Sequence, residues 1–282
     1  MLFLIGGCYN INMYTVVIIL IFLLGTIIGS FLNVVIYRFN TGKSIVTGRS
    51  VCMTCNHTLR WYELIPIFSF LIQSGRCRSC ASSISHQYPI VEFGTGIIFT
   101  LIVVHLLPIL PFSQALFVTL TSLFSFIFSL LLVICVYDIR HKIIPDKLVY
   151  AFIFVAFLSL FINYTGSGSF FTLPEATRLI AGPLFALPFA LLRMIGKGRL
   201  IGLGDAKLIL GIAWMFQPTE SLAVLVLSFW IGAVVSIAIM FFSKKKVGMK
   251  TEIPFAPFLV LAMFIVFLCN LNIYSLVSIF KF

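Results

Sequence analysis

Apolar runs of bilayer-crossing length recur along the whole chain, and they leave few folds open to it. A spanning helix needs about 20 apolar residues. Runs that meet or approach this length fall at about 14–37, 88–107, 115–137, 148–162, 176–194, 206–216, 222–242 and 255–280, the sixth being short unless 200–204 contribute. The composition agrees: 61% hydrophobic, 10% charged and a mean hydropathy of +1.16. Soluble domains have about 45–50% apolar and about 25% charged residues. The expected fold is an all-α polytopic membrane protein of about eight transmembrane helices. The extreme N-terminus lacks a basic region and makes a poor secretory signal, and Met13 is an alternative start.

The charges orient the spans. Residues 38–88 are the one long polar stretch, with six Lys or Arg against a single acid, Glu63. Basic loops stay in the cytoplasm, so this stretch is expected inside and both termini outside. In that topology 17 of the 19 basic residues are cytoplasmic, and only Arg178 and Lys281 fall outside. The net charge of +11 then reflects membrane orientation and not nucleic-acid binding. Three segments follow: 1–37 with the first span, 38–88 as a small cytoplasmic domain, and 89–282 with the remaining seven spans. Gly29, Ser30 and Asn33 would face other helices and not lipid. The apolar patch at 64–72 contains Pro66 and is too short to span; it would pack within the small domain or lie on the membrane surface. No internal repeat is evident.

The small domain carries Cys52-Met53-Thr54-Cys55 and Cys77-Arg78-Ser79-Cys80, with 21 residues between the pairs. Two such turns can offer four thiolates to one tetrahedral Zn²⁺. Two disulfides, four unrelated thiols or a redox dithiol are the alternatives, and a reducing cytoplasm disfavours the first. A closed four-sulfur site has no open position, so its role would be structural: it staples a polar segment with little core of its own. His57 and His86 read as solvated loop residues, and Cys8, Cys135 and Cys269 as packing residues.

Two aspartates stand at the ends of apolar runs on the cytoplasmic side. Asp138 closes the third run, and Asp205 follows Gly202-Leu203-Gly204. Acids at the membrane edge are functional candidates. Singly, each has an ordinary reading: Asp138 as the ion-pair partner of Arg140 or Lys142, Asp205 as a helix cap or the partner of Lys207. Asp146 reads as the cap of the fourth span. Together, two nearby carboxyls share a proton, so that one can activate water while the other protonates a carbonyl oxygen. Gly202 and Gly204 allow close approach of a substrate chain. No Ser/His/Asp set, HExxH helix or Walker loop competes.

These stretches, in order, resemble the prepilin peptidases, or type IV leader peptidases, membrane aspartic proteases of the GxGD kind. The resemblance rests on Gly29-Ser30-Phe31-Leu32-Asn33 through Arg38, the paired CxxC turns, Arg60-Trp61-Tyr62-Glu63, Tyr88-Pro89-Ile90-Val91-Glu92, Asp138 to Asp146, Gly202 to Lys207, and Ile253-Pro254-Phe255-Ala256-Pro257. It implies a catalytic pair, Asp138 and Asp205, in the bacterial inner membrane. The implied substrates are type IV prepilins or pseudopilins, cut on the cytoplasmic face after the glycine that ends a basic leader, for pilus or type II secretion filaments. It also raises N-methylation of the new N-terminus with S-adenosylmethionine, an activity often linked to the cysteine loop. Ala256 stands where the family often has Gly, a departure expected to touch neither aspartate. Glu63 and Glu92 are candidates for contacting the leader, or for pairing with nearby Arg. The principal rival reading is a proton-coupled membrane transporter, which would place acids mid-span or on both faces.

Overall fold

The computed structural model describes residues 11–162, 171–196, 202–242 and 253–278, with side chains from residue 15 onward. The basic clusters at 197–199 and 244–246, Lys281 and Cys8 lie outside the described residues. Among the described residues the fold is helical, with three isolated β-bridges. The helices are α1 (Ile11–Arg38), α2 (Phe68–Ile72), α3 (Gln87–Leu106), α4 (Gln114–His141), α5 (Asp146–Ser159), α6 (Ala176–Ile195), α7 (Leu203–Met215), α8 (Pro218–Phe242), α9 (Ala256–Cys269) and α10 (Ile273–Ser278).

An apolar helix stands in each of the eight expected runs, and among the described residues five are long enough to cross a membrane: those containing Thr15–Arg38, Gln87–Ile109, Gln114–His141, Ala176–Ile195 and Pro218–Phe242. The helices α5, α7 and α9 have 14, 13 and 14 residues. At 1.5 Å per residue they reach about 20 Å, short of a hydrocarbon core of about 30 Å. The run expected at 255–280 is broken: Asn270 adopts a left-handed conformation (φ 48°) and its N–H caps the Val266 carbonyl before α10 begins.

The chain divides into two compact units, residues 1–108 and 109–282. The division groups α3 with α1 and the cysteine segment, not with the helices that follow it. In the first unit α1 and α3 cross closely. A Cβ on Gly25 would come within 2.8 Å of the Gly96 Cα, and one on Gly29 within 2.8 Å of the Glu92 Cα, so only glycine permits this approach. Beside the crossing, Asn33 is fully buried and its amide donates to the Tyr88 carbonyl (3.1 Å). Tyr37 and Tyr88 stack at 5.0 Å. At the end of α1 the Arg38 guanidinium donates to the carbonyls of Ser44, Thr47 and Arg49, which gathers the loop beneath it.

The polar segment does contain a short repeat, of which the sequence shows little beyond the paired cysteines, because backbone geometry recurs while most of the other side chains differ. Cys52 N–H donates to the His57 carbonyl and Asn56 N–H to Cys52; 25 residues on, Cys77 N–H donates to Ser82 and Ala81 N–H to Cys77. Bridges Val51–Thr58 and Arg76–Ser83 flank the two turns. Asn56 and Ala81 occupy the same left-handed position, φ 55° and 56°. The apolar patch forms a 3₁₀ turn (Trp61–Leu64) and the short α2, on which Phe68, Leu71 and Ile72 stay exposed.

In the second unit α7 is flanked by α5 and α6, and α4 and α8 pack on α9. Leu131, Ile134, Phe152, Leu208 and Leu259 are wholly buried. Pro183 in α6 lacks an N–H, so the Leu179 carbonyl one turn earlier has no helical donor. The Trp214 indole N–H of α7 donates to it at 3.0 Å, and the Arg178 guanidinium donates to the Trp214 carbonyl at 3.3 Å.

Candidate active site and metal centre

Asp138 lies in the last turn of α4, only 5% exposed. That turn closes with Lys142 in a left-handed conformation (φ 53°), its N–H bonding back to the Asp138 carbonyl at 2.7 Å. The Asp138 carboxylate accepts a hydrogen bond from the backbone N–H of Ala256, the first residue of α9. Ala256 is fully buried, and its carbonyl faces the Cys135 thiol at 3.9 Å, one turn back on α4. The departure at Ala256 therefore does touch an aspartate, through its main chain. Sequence inspection had no signal for this contact beyond Pro257, which marks a helix start.

Asp205 is the third residue of α7, and Gly202 is the N-cap. Its carboxylate accepts from the Gly202 N–H, the half of a capping box in which the third helical residue reaches back. Asp205 is thus a capping partner but not the cap itself. It lies near enough to Asp138 for the two charges to interact. Gly204 sits against Ile144: a Cβ there would lie 2.6 Å from the Ile144 Cβ. Gly202 is exposed, and a Cβ on it would meet the Asp205 carboxylate at 3.3 Å.

Two ordinary readings change. Asp146 caps nothing: Pro145 is the N-cap of α5, without a side-chain bond, and Asp146 instead accepts from the Lys207 ammonium at 2.6 Å. Lys207 also lies 4.6 Å over the Tyr150 ring. Lys207 therefore pairs with Asp146 and not with Asp205.

Glu63 and Glu92 are buried, and both bind main chain. Glu63 accepts from the Arg60 N–H at 2.8 Å, with His57 at 3.8 Å. Glu92 accepts from the Ile67 N–H at 2.7 Å and from the Ser30 hydroxyl. Ile67 has a positive φ (62°), unfavourable for a β-branched residue, so Glu92 anchors a strained turn.

The four cysteines converge. All four sulfurs lie within 4.8 Å of one another, with Cys52–Cys80 at 3.8 Å and Cys55–Cys77 at 4.0 Å. Zn–S bonds of about 2.3 Å in a tetrahedron require sulfurs about 3.8 Å apart, so the cluster fits one Zn²⁺ and not two disulfides. The backbone N–H groups of Cys55 and Thr54 hold the Cys52 thiol down at about 6, favouring the thiolate a metal needs. The Ser82 hydroxyl, 3.1 Å from the Cys80 sulfur, pulls that thiol down too.

A helical membrane protein with two aspartates at helix ends and four convergent thiols able to hold one metal ion is the class defined so far. Residues 23–106 match the Bacterial Peptidase A24 N-terminal domain, and residues 125–237 match the Type IV leader peptidase family. The chain is 31% identical over 238 residues to a prepilin leader peptidase/N-methyltransferase of Bacillus subtilis (strain 168), covering 84% of this chain and 88% of that one. It is 29% identical over 265 residues to the protein of that name from Stutzerimonas stutzeri, covering 85% and 86%. An 81-residue stretch is 51% identical to the protein of that name from Myxococcus xanthus (strain DK1622), spanning 24% of that relative. The chain belongs to the type IV leader peptidase family. No solved structure matches it. The transporter reading finds no support among these relatives.

Proposed function

We propose that the chain is an aspartic endopeptidase that removes the leader of type IV prepilins or pseudopilins, with Asp138 and Asp205 as the catalytic pair. What supports this reading is that the charge of Asp138, in the last turn of α4, is felt at Asp205, in the first turn of α7. Each has one main-chain donor, from Ala256 or Gly202, which orients it. One carboxylate takes a proton from a water that attacks the scissile carbonyl. The other, protonated, donates to the carbonyl oxygen; as the tetrahedral intermediate collapses it takes that proton back, while the first carboxyl passes the proton it took from water to the leaving amine. The exposed Gly202 leaves room for the substrate main chain at the start of α7.

The charge asymmetry supports eight spans with both termini outside the bacterial inner membrane and the aspartates at its cytoplasmic face. A lipid-embedded substrate helix would then present its polar junction at that face, where water is available. Cys52, Cys55, Cys77 and Cys80 would hold Zn²⁺ as a closed structural clip, which supplies cross-linking and no reaction chemistry. The Bacillus relative's name includes N-methyltransferase. The apolar gap between α6, α7, α8 and α9, lined by Phe185, Ile209 and Leu259 with Ser221, is too small to hold S-adenosylmethionine, and no step is assigned to that donor. Incubating membranes that contain the chain with candidate prepilins, and weighing the product's N-terminal peptide, tests the reading. We expect loss of the leader after its terminal glycine. An uncut prepilin under conditions where a relative cuts it would overturn the assignment, and a 14 Da increment would report methylation.

A further inference from the structure

We propose that Lys207, seated on Asp146 and Tyr150, is a positioning residue that sets the rotation of α7 and so aims Asp205; this rests on the two-aspartate reading above. Residues 204, 207 and 211 form one stripe along α7, because a helix returns to the same face after three or four residues. All three meet the same stretch of chain. Gly204 packs on Ile144, Lys207 bonds Asp146 and covers Tyr150, and a Cβ on Gly211 would lie 2.5 Å from the Phe152 ring. Asp205 stands about 200° around the helix from Lys207, at about 100° per residue, so it points away from α5.

The division of labour follows from chemistry. The two glycines let the helices approach, but neither carries a directional group that would resist α7 turning about its axis. The Lys207 ammonium does, through a 2.6 Å charge-assisted bond and a ring face. Asp146 and Tyr150 are four residues apart on α5, so one face of that helix supplies both contacts. The N-cap of α7, Gly202, has no side chain of its own, and the group that reaches back to its N–H is the Asp205 carboxylate itself. An isolated surface ion pair contributes little. Here the pair lies two residues from Asp205, so a small rotation at Lys207 is felt directly at the carboxylate.

Prepilin cleavage kinetics on the full-length protein in membranes test this. Lys207→Met keeps the stem and removes the charge; kcat falls about tenfold, KM stays within about twofold, and the melting midpoint is that of the parent. Lys207→Arg restores most of kcat. Asp146→Asn loses as much as Lys207→Met, and the double variant no more than either, because both break one contact. Parental kcat in Lys207→Met, or losses that add in the double variant, would overturn the proposal. Should Lys207→Met fail to fold, Tyr150→Leu decides: a two- to threefold loss of kcat at unchanged KM supports the seat, and no loss refutes it. Asp205→Asn is run alongside. If it cleaves at the parental rate the two-aspartate reading fails; if it is dead while Lys207→Met is parental, only the positioning role fails.

Discussion

In the first unit the four thiols come from two turns between residues 52 and 80, each turn closed by its own main-chain bonds. In the second unit the groups around the aspartates come from positions 138, 146, 205 and 256, on four different helices. The two sites also differ in what holds them. The cysteine turns have little apolar packing, and their four thiols could hold a metal in place of the core they lack. The aspartates sit at the ends of helices that are already packed, so their geometry inherits the rotation and spacing of those helices. The lesson is that the metal centre should fail as a unit when one ligand is lost, whereas the aspartate site should fail by degrees as helix packing is disturbed.

The contrast can be broken in four ways, taken from the largest effect downward. Asp138→Asn and Asp205→Asn should each lower prepilin cleavage by at least about 10³-fold, on the order of 4 kcal/mol of barrier, while the protein remains folded by circular dichroism. Either variant cleaving normally would dissolve the pair. Next, Cys52→Ser with Cys55→Ser should abolish bound zinc, measured by metal analysis, and expose residues 38–86 to protease. Cleavage should fall far less than in the aspartate variants, as befits a structural clip; a metal-free parent protein would remove the clip altogether. Third, Gly204→Ala pushes a Cβ into Ile144 and should cost about 1–3 kcal/mol by overpacking, with a matching loss of activity. Ile144→Ala in the same chain should return part of both, and a thermal melt beside the cleavage assay reads this. The smallest effect is a gain. Ala81 holds a left-handed conformation that glycine adopts freely, so Ala81→Gly should raise the stability of the zinc-loaded segment by up to about 1 kcal/mol, seen as slower proteolysis. The counterpart Asn56→Gly should gain less, because asparagine tolerates that conformation.

Much of this was legible along the chain. The CxxC spacing pointed to four sulfurs around one ion, and the structure brings all four together. Gly29 and Asn33 were expected at a helix interface, and they lie there. Other assignments were not legible, because their partners are remote. Asp146 looked like a cap by its place after Pro145, yet the cation it meets is 61 residues away. Ala256 looked incidental, yet its N–H reaches Asp138 from another helix. Glu63 and Glu92 looked like partners for arginine, but burial brought main-chain N–H groups to them first. Helix length was misjudged where an apolar run is interrupted by a residue able to turn the chain, as at Asn270.

Sequence alone determined that the chain is a helical membrane protein, that its polar segment carries a four-thiol metal motif, and that two aspartates follow apolar runs. Those properties depend on hydropathy, local spacing and charge, all of which are written along the chain. Only the tertiary structure decided which groups each acid meets: Ala256 for Asp138, Gly202 for Asp205, Lys207 for Asp146. Hydrogen bonds and ion pairs are short-range, and which atoms come within about 3 Å depends on how tightly the helices pack and how each is turned about its axis.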